Sequence, residues 1–130
     1  MSAKTNYLEN AILNHVLRKG ANNMTSPTNL YVALHTADPG EDATTGEVSG
    51  NGYARQSVSF NAASGGQSSH TALLTFQATG GNWGSITHAS LWDASTAGNP
   101  LYYGALASAK TINNGDKLEF PAGNVVVAEA

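Results

Sequence analysis

The rhythm of its apolar residues constrains this chain most. Past residue 20 the helical period disappears, and short alternating runs take over, each closed by glycine or by Asn/Asp turn residues. Residues 30–35 alternate in bulk, Leu30-Tyr31-Val32-Ala33-Leu34-His35. Residues 53–60 place Ala54, Gln56, Val58 and Phe60 on one face and Arg55, Ser57 and Ser59 on the other. Residues 71–76 aim Ala72, Leu74 and Phe76 one way, and residues 85–92, 101–106, 117–120 and 124–128 complete the set. Turns are marked at Asp38-Pro39-Gly40, Gly80-Gly81-Asn82 and Asn113-Asn114-Gly115-Asp116, and residues 64–69 read as a Gly/Ser loop. About seven to eight short strands at this spacing predict a mainly β fold, an antiparallel β-sandwich or barrel.

One helix precedes the strands. Asn6 stands at its N-cap with Glu9 three residues on, and Leu8, Ala11, Ile12, Leu13, Val16 and Leu17 form a wide apolar stripe. Arg18 and Lys19 suit the negative end of the helix dipole, and Gly20 supplies the stop. The spacing predicts a helix over about 7–19 and a β domain over about 29–128, all within one domain spanning 1–130. A stripe this wide needs a partner surface, so Leu8, Ile12, Leu13 and Val16 are candidate interaction residues.

Composition narrows the function. Charged residues make up 12% of the chain, about half the usual share, and the net charge is −3. Lys4, Arg18, Lys19, Arg55, Lys110 and Lys117 are scattered, so the basic cluster that meets a phosphate backbone is missing and no nucleic-acid partner is expected. There is no cysteine, which excludes disulfides and thiolate metal sites. No signal-peptide pattern and no apolar run of membrane-spanning length is visible, so no membrane partner is expected.

The residues that could carry chemistry do not assemble into a known pattern. His15, His35, His70 and His88 lack the close spacing of zinc ligands. Asp38, Glu41, Asp42 and Glu47 gather in one loop, yet without the glycine and terminal glutamate of a calcium-binding EF-hand; a solvated acidic loop is the expectation. Ser68, His70 and Asp93 make a triad on paper only, because no GxSxG elbow supports it, and nothing singles out Asp93 and Glu119 as a glycosidase pair. Residues 80–84 are glycine-rich but lack the helix and lysine of a phosphate-binding loop. Trp83, Trp92, Tyr102 and Tyr103 are either core or an exposed platform that would stack on sugars; the core reading is favoured, and they remain candidate contact residues. The expectation is therefore a non-enzymatic protein with no catalytic, metal or cofactor site.

Several longer segments occur in a telling order: residues 30–39 (LYVALHTADP), 46–56 (GEVSGNGYARQ), 83–94 (WGSITHASLWDA), 98–106 (GNPLYYGAL), then Gly115-Asp116, Leu118-Glu119-Phe120 and Ala122-Gly123. Together they resemble a family of short tailed-phage virion proteins usually labelled phage tail fibre protein, over nearly the whole chain. The resemblance implies a virion structural protein made in the bacterial host cytoplasm, and it carries over no catalytic or metal-binding residues. A fibre shaft needs a stacking or coiled repeat, and this chain has none. The expectation leans to a capsid decoration (cement) protein that contacts itself, as a homotrimer, and the major capsid protein or other virion proteins. A tail-fibre tip or adaptor, with receptor or carbohydrate binding, is the alternative. The loop over 37–52 is the segment expected to reach a neighbour.

Overall fold

The computed structural model describes residues 1, 3–20 and 24–129. Strand β1 (Ala3–Lys4) leads directly into helix α1 (Asn6–Leu17), and eight strands follow: β2 (Leu30–His35), β3 (Gln56–Val58), β4 (Gln67–Ser69), β5 (Leu74–Gln77), β6 (Gly84–Trp92), β7 (Pro100–Ile112), β8 (Lys117–Phe120) and β9 (Val126–Ala128). They build a five-stranded antiparallel sheet in the order β1-β7-β6-β2-β3 and two antiparallel pairs, β4-β9 and β5-β8. The sheets do not close into a barrel.

One face of the large sheet packs on the two pairs. Val32 and Leu34 from β2, Ile86, Ala89 and Leu91 from β6, Leu74 and Phe76 from β5, and Leu118 from β8 meet in one core, with Trp83 beside them. This core holds most of the buried apolar area, the main driving force for folding. Rings order it: Tyr53 stacks with Phe76 and meets Trp83 edge-on, and Phe76 meets Phe120 edge-on.

The other face of the sheet is covered too. Residues 36–47 turn back over it, so that Ala43 packs with Ala33 and Trp92. The ladder widens here, because Thr36 donates to the Gly46 carbonyl and Val48 to that of Leu34. Val32 through His35 and Ala89 through Trp92 are consequently buried on both faces, which hides the alternation expected of a one-faced strand.

The boundaries differ from expectation for physical reasons. Thr5, not Asn6, caps α1: its Oγ1 accepts from the Leu8 amide at 3.3 Å and donates to the Pro100 carbonyl at 2.6 Å. The helix stops at Leu17, leaving Arg18 and Lys19 outside it. The segment expected as a strand over 53–60 is a strand only at Gln56–Val58, where it pairs with Leu30–Val32 of β2. The Gly/Ser loop contains β4, whose polar residues enter the sheet through backbone pairing with β9. Strand β7 runs well beyond residue 106 because three extra residues bulge out where Ile86 pairs with Lys110 but His88 with Ala105.

Candidate interaction surface

Helix α1 is tied down at its start, and part of its outer side is exposed among the described residues. Thr5 is fully buried, its amide donates to the Leu101 carbonyl, and the Asn6 amide donates to the Glu41 carbonyl. Leu8 is the buried anchor and Ile12 is half-buried. Leu13, Val16 and Leu17 lie at i, i+3 and i+4 on one face, with 54%, 65% and 70% of their surface exposed. The expected stripe is thus split: Leu8 serves the fold, and Leu13 and Val16, with Leu17, face outward. Contiguous exposed apolar surface of this kind marks contact sites in soluble proteins.

The acidic residues do not converge. Asp38 accepts from the Gly40 amide, and Asp42 accepts from the Thr44 amide and hydroxyl, which hold its carboxyl below the usual range. Partial burial raises the Tyr103 hydroxyl pKa, and the negative charges of Glu41, Asp38 and Glu9 raise it further. Among the described residues no three His, Asp or Glu side chains lie close enough to hold a metal ion.

Glu47 is committed elsewhere. Arg55 grips it with two hydrogen bonds, Nε to Oε2 and an NH2 group to Oε1, both 2.9 Å, and Tyr53 donates to Oε2 at 2.8 Å. Burial pushes the Glu47 carboxyl up, but these bonds outweigh it and leave the carboxyl below its usual range. The other guanidinium nitrogen donates to the Ala94 and Ala97 carbonyls, and the group lies 3.9 Å from the centre of the Trp92 ring. Trp92 and Trp83 are both buried, Trp83 donating its indole N–H to the Asn51 carbonyl. Tyr102 and Tyr103 are half-buried, and the Tyr102 hydroxyl donates to Glu129.

Two histidines sit in environments that a search for enzymes would notice. His35 Nε2 lies 2.7 Å from Ser90 Oγ, and Nδ1 lies 2.8 Å from the Thr45 carbonyl. The carbonyl requires the proton on Nδ1, so Nε2 accepts from the Ser90 hydroxyl. The same serine oxygen accepts from the Trp92 indole at 2.7 Å. This is a serine–histidine pair, but Ser90 and His35 are both at 0% exposure, and no substrate atom can reach them. His70 bridges β8 and the turn before β9: its Nε2 donates to the Phe120 carbonyl and its Nδ1 accepts from the Val125 amide. Ser68 and Asp93 are occupied separately, Ser68 donating to the Asn61 carbonyl and Asp93 holding Asn99.

Two of the concavities bear on binding. A cleft of about 580 Å3 beside the β7 bulge is lined largely by small residues and carries a single carboxylate, Glu119. An apolar groove of about 280 Å3 opens at the end of the main core between Leu30, Phe60, Leu91, Tyr102 and Val127. Neither presents two carboxylates across from one another. Sequence reasoning missed Leu17 as a surface residue and Ser90 as the partner of His35, since both depend on which way an element faces.

No curated protein matches the chain. The family profile described as Podophage GP4 fiber I protein gp80 matches residues 3–128, from β1 through the last residue of β9. With the helix, the sheets and the quoted segments all inside that match, the chain belongs to this family of podophage fibre proteins.

Proposed function

We propose that the chain is a non-enzymatic tail-fibre module that acts by joining copies of itself to one another and to neighbouring virion proteins. Family membership makes it a virion structural protein, and the fibre description favours the tail over the capsid-decoration role. The observation that carries the mechanism is the outward face of α1, where Leu13, Val16 and Leu17 stand exposed on a helix whose anchor, Leu8, is already buried. Burying such a face between copies stabilises each contact modestly, and repetition on a symmetric particle multiplies it. A closed trimer is the expected assembly. The sealed Ser90–His35 pair and the scattered Ser68, His70 and Asp93 support a role without catalysis.

Light scattering on the purified chain tests the mechanism. The parent should form one discrete oligomer, and Leu13→Ser/Val16→Ser/Leu17→Ser should reduce it to monomer with its melting temperature retained; a monomeric parent at micromolar concentration refutes self-association. Immunogold labelling of intact particles tests location. Label on tails supports the fibre role, and label confined to capsids overturns it.

A further inference from the structure

We infer that the segment over 36–47 is an acid-releasable cover on the back face of the large sheet, latched by His35. The geometry of the latch is directional. His35 gives its one proton to the Thr45 carbonyl and uses its other nitrogen to accept from Ser90, while Ser90 also accepts from Trp92. A second proton on the ring would aim two N–H groups, those of His35 and Trp92, at one serine oxygen. It would also take from the fully buried serine hydroxyl the ring nitrogen that accepts its proton.

The groups facing His35 come from every side. Glu47 and Thr45 lie on the cover, His88 stands directly across the ladder on β6, Arg55 reaches over from beside β3, and Tyr53 joins Glu47 to the Leu34 amide. Burial pushes the His35 pKa below the ordinary imidazole range, helped by Arg55 and His88, and the Thr45 bond and Glu47 only partly offset this. A proton therefore binds the open form more tightly than the closed one, and closure weakens as pH falls from about 6.5 downward.

Apolar burial holds the cover only lightly. Its buried apolar anchors are Pro39 and Ala43, the latter against Ala33 and Trp92, whereas the front core holds thirteen buried residues. It is also strained, because Ala43 is held at φ 56, a conformation that side chains other than glycine rarely adopt. Opening exposes the second face of β2 and β6 and leaves the front core intact.

Hydrogen exchange on the full chain, corrected for intrinsic rates, tests this at pH 7.5 and 5.0. The opening equilibrium read at the Asn6 and Val48 amides, which bond the Glu41 and Leu34 carbonyls at the edges of the cover, should rise by up to about thirtyfold, the ceiling for titration of one histidine across that interval. The Ile86 and Leu91 amides should stay protected. His35→Asn, which keeps a donor for Thr45 but cannot titrate, should flatten the response, and Glu47→Gln should preserve it. If His35→Asn does not fold, NMR of the parent decides, since the His35 ring must titrate at the midpoint of opening. A parent rise below about threefold, loss of protection across the whole sheet, an undiminished response in His35→Asn or its loss in Glu47→Gln each overturns the proposal.

Discussion

Replacing Arg55 with lysine keeps the charge and removes the fork. Arg55 makes two parallel bonds to Glu47 and two to the Ala94 and Ala97 carbonyls while covering the Trp92 ring, with 8% of its side-chain surface exposed. A lysine ammonium reaches Glu47 or the two carbonyls, not both, and cannot lie flat on the indole. Two charge-assisted bonds are then lost at about 1.5 kcal/mol each, and water reaching the rim, where Glu47 is 24% exposed, returns part of that. The net cost is about 2 kcal/mol, and Arg55→Ala, which strands Glu47 half-buried, costs about 4 kcal/mol. In a chain of 130 residues the lysine variant should melt about 8 °C lower. Urea unfolding followed by tryptophan emission measures it, with Trp92 beneath the guanidinium as reporter. A lysine variant within about 0.5 kcal/mol of the parent would refute the fork as the stabilising element.

Further outcomes are expected elsewhere. Thr5→Val removes the cap of α1 and leaves the Pro100 carbonyl without its donor, costing about 2 kcal/mol and part of the helical circular dichroism. Gly52→Ala should cost at least about 2 kcal/mol more than Gly50→Ala in a denaturant titration, because both sit at positive φ but only Gly52 would drive a methyl into Thr79. The depressed Glu47 carboxyl stabilises the fold above its unfolded pKa of about 4.5, and that contribution fades as pH falls through its lower folded value; a Glu47→Gln chain should therefore show a shallower acid limb below pH 4.5. Calcium or chelator should leave the melting temperature unchanged, since Asp38, Asp42 and Glu47 are each bound to their own surroundings.

The strands were legible where a residue's own pattern decides its fate. Lys117–Phe120 falls where the alternation puts it, and β6 begins one residue early. Tertiary effects hid the rest. Gln67–Ser69 has no strand pattern, because its pairing with β9 uses only backbone groups. The helix stripe announced a buried face but not its direction, and Leu13 and Val16 turn outward because Thr5 fixes the entry of α1 and Leu8 fills the anchoring site. The acidic loop looked free because its anchors are small: Pro39 and Ala43 are buried, yet neither stands out in sequence.

The attachment of α1 also decides how the module responds to tension. The helix joins the sheet through β1 at one end, where two residue pairs bind β7, and through β2 at the other, where three pairs bind β3 and five bind β6. Force applied to the outer face of α1 divides between these two tethers. With two pairs against eight, the short one is expected to peel first, while the central strand keeps its grip on both neighbours. Under tension a link of this kind is expected to yield at its edge and spare its core.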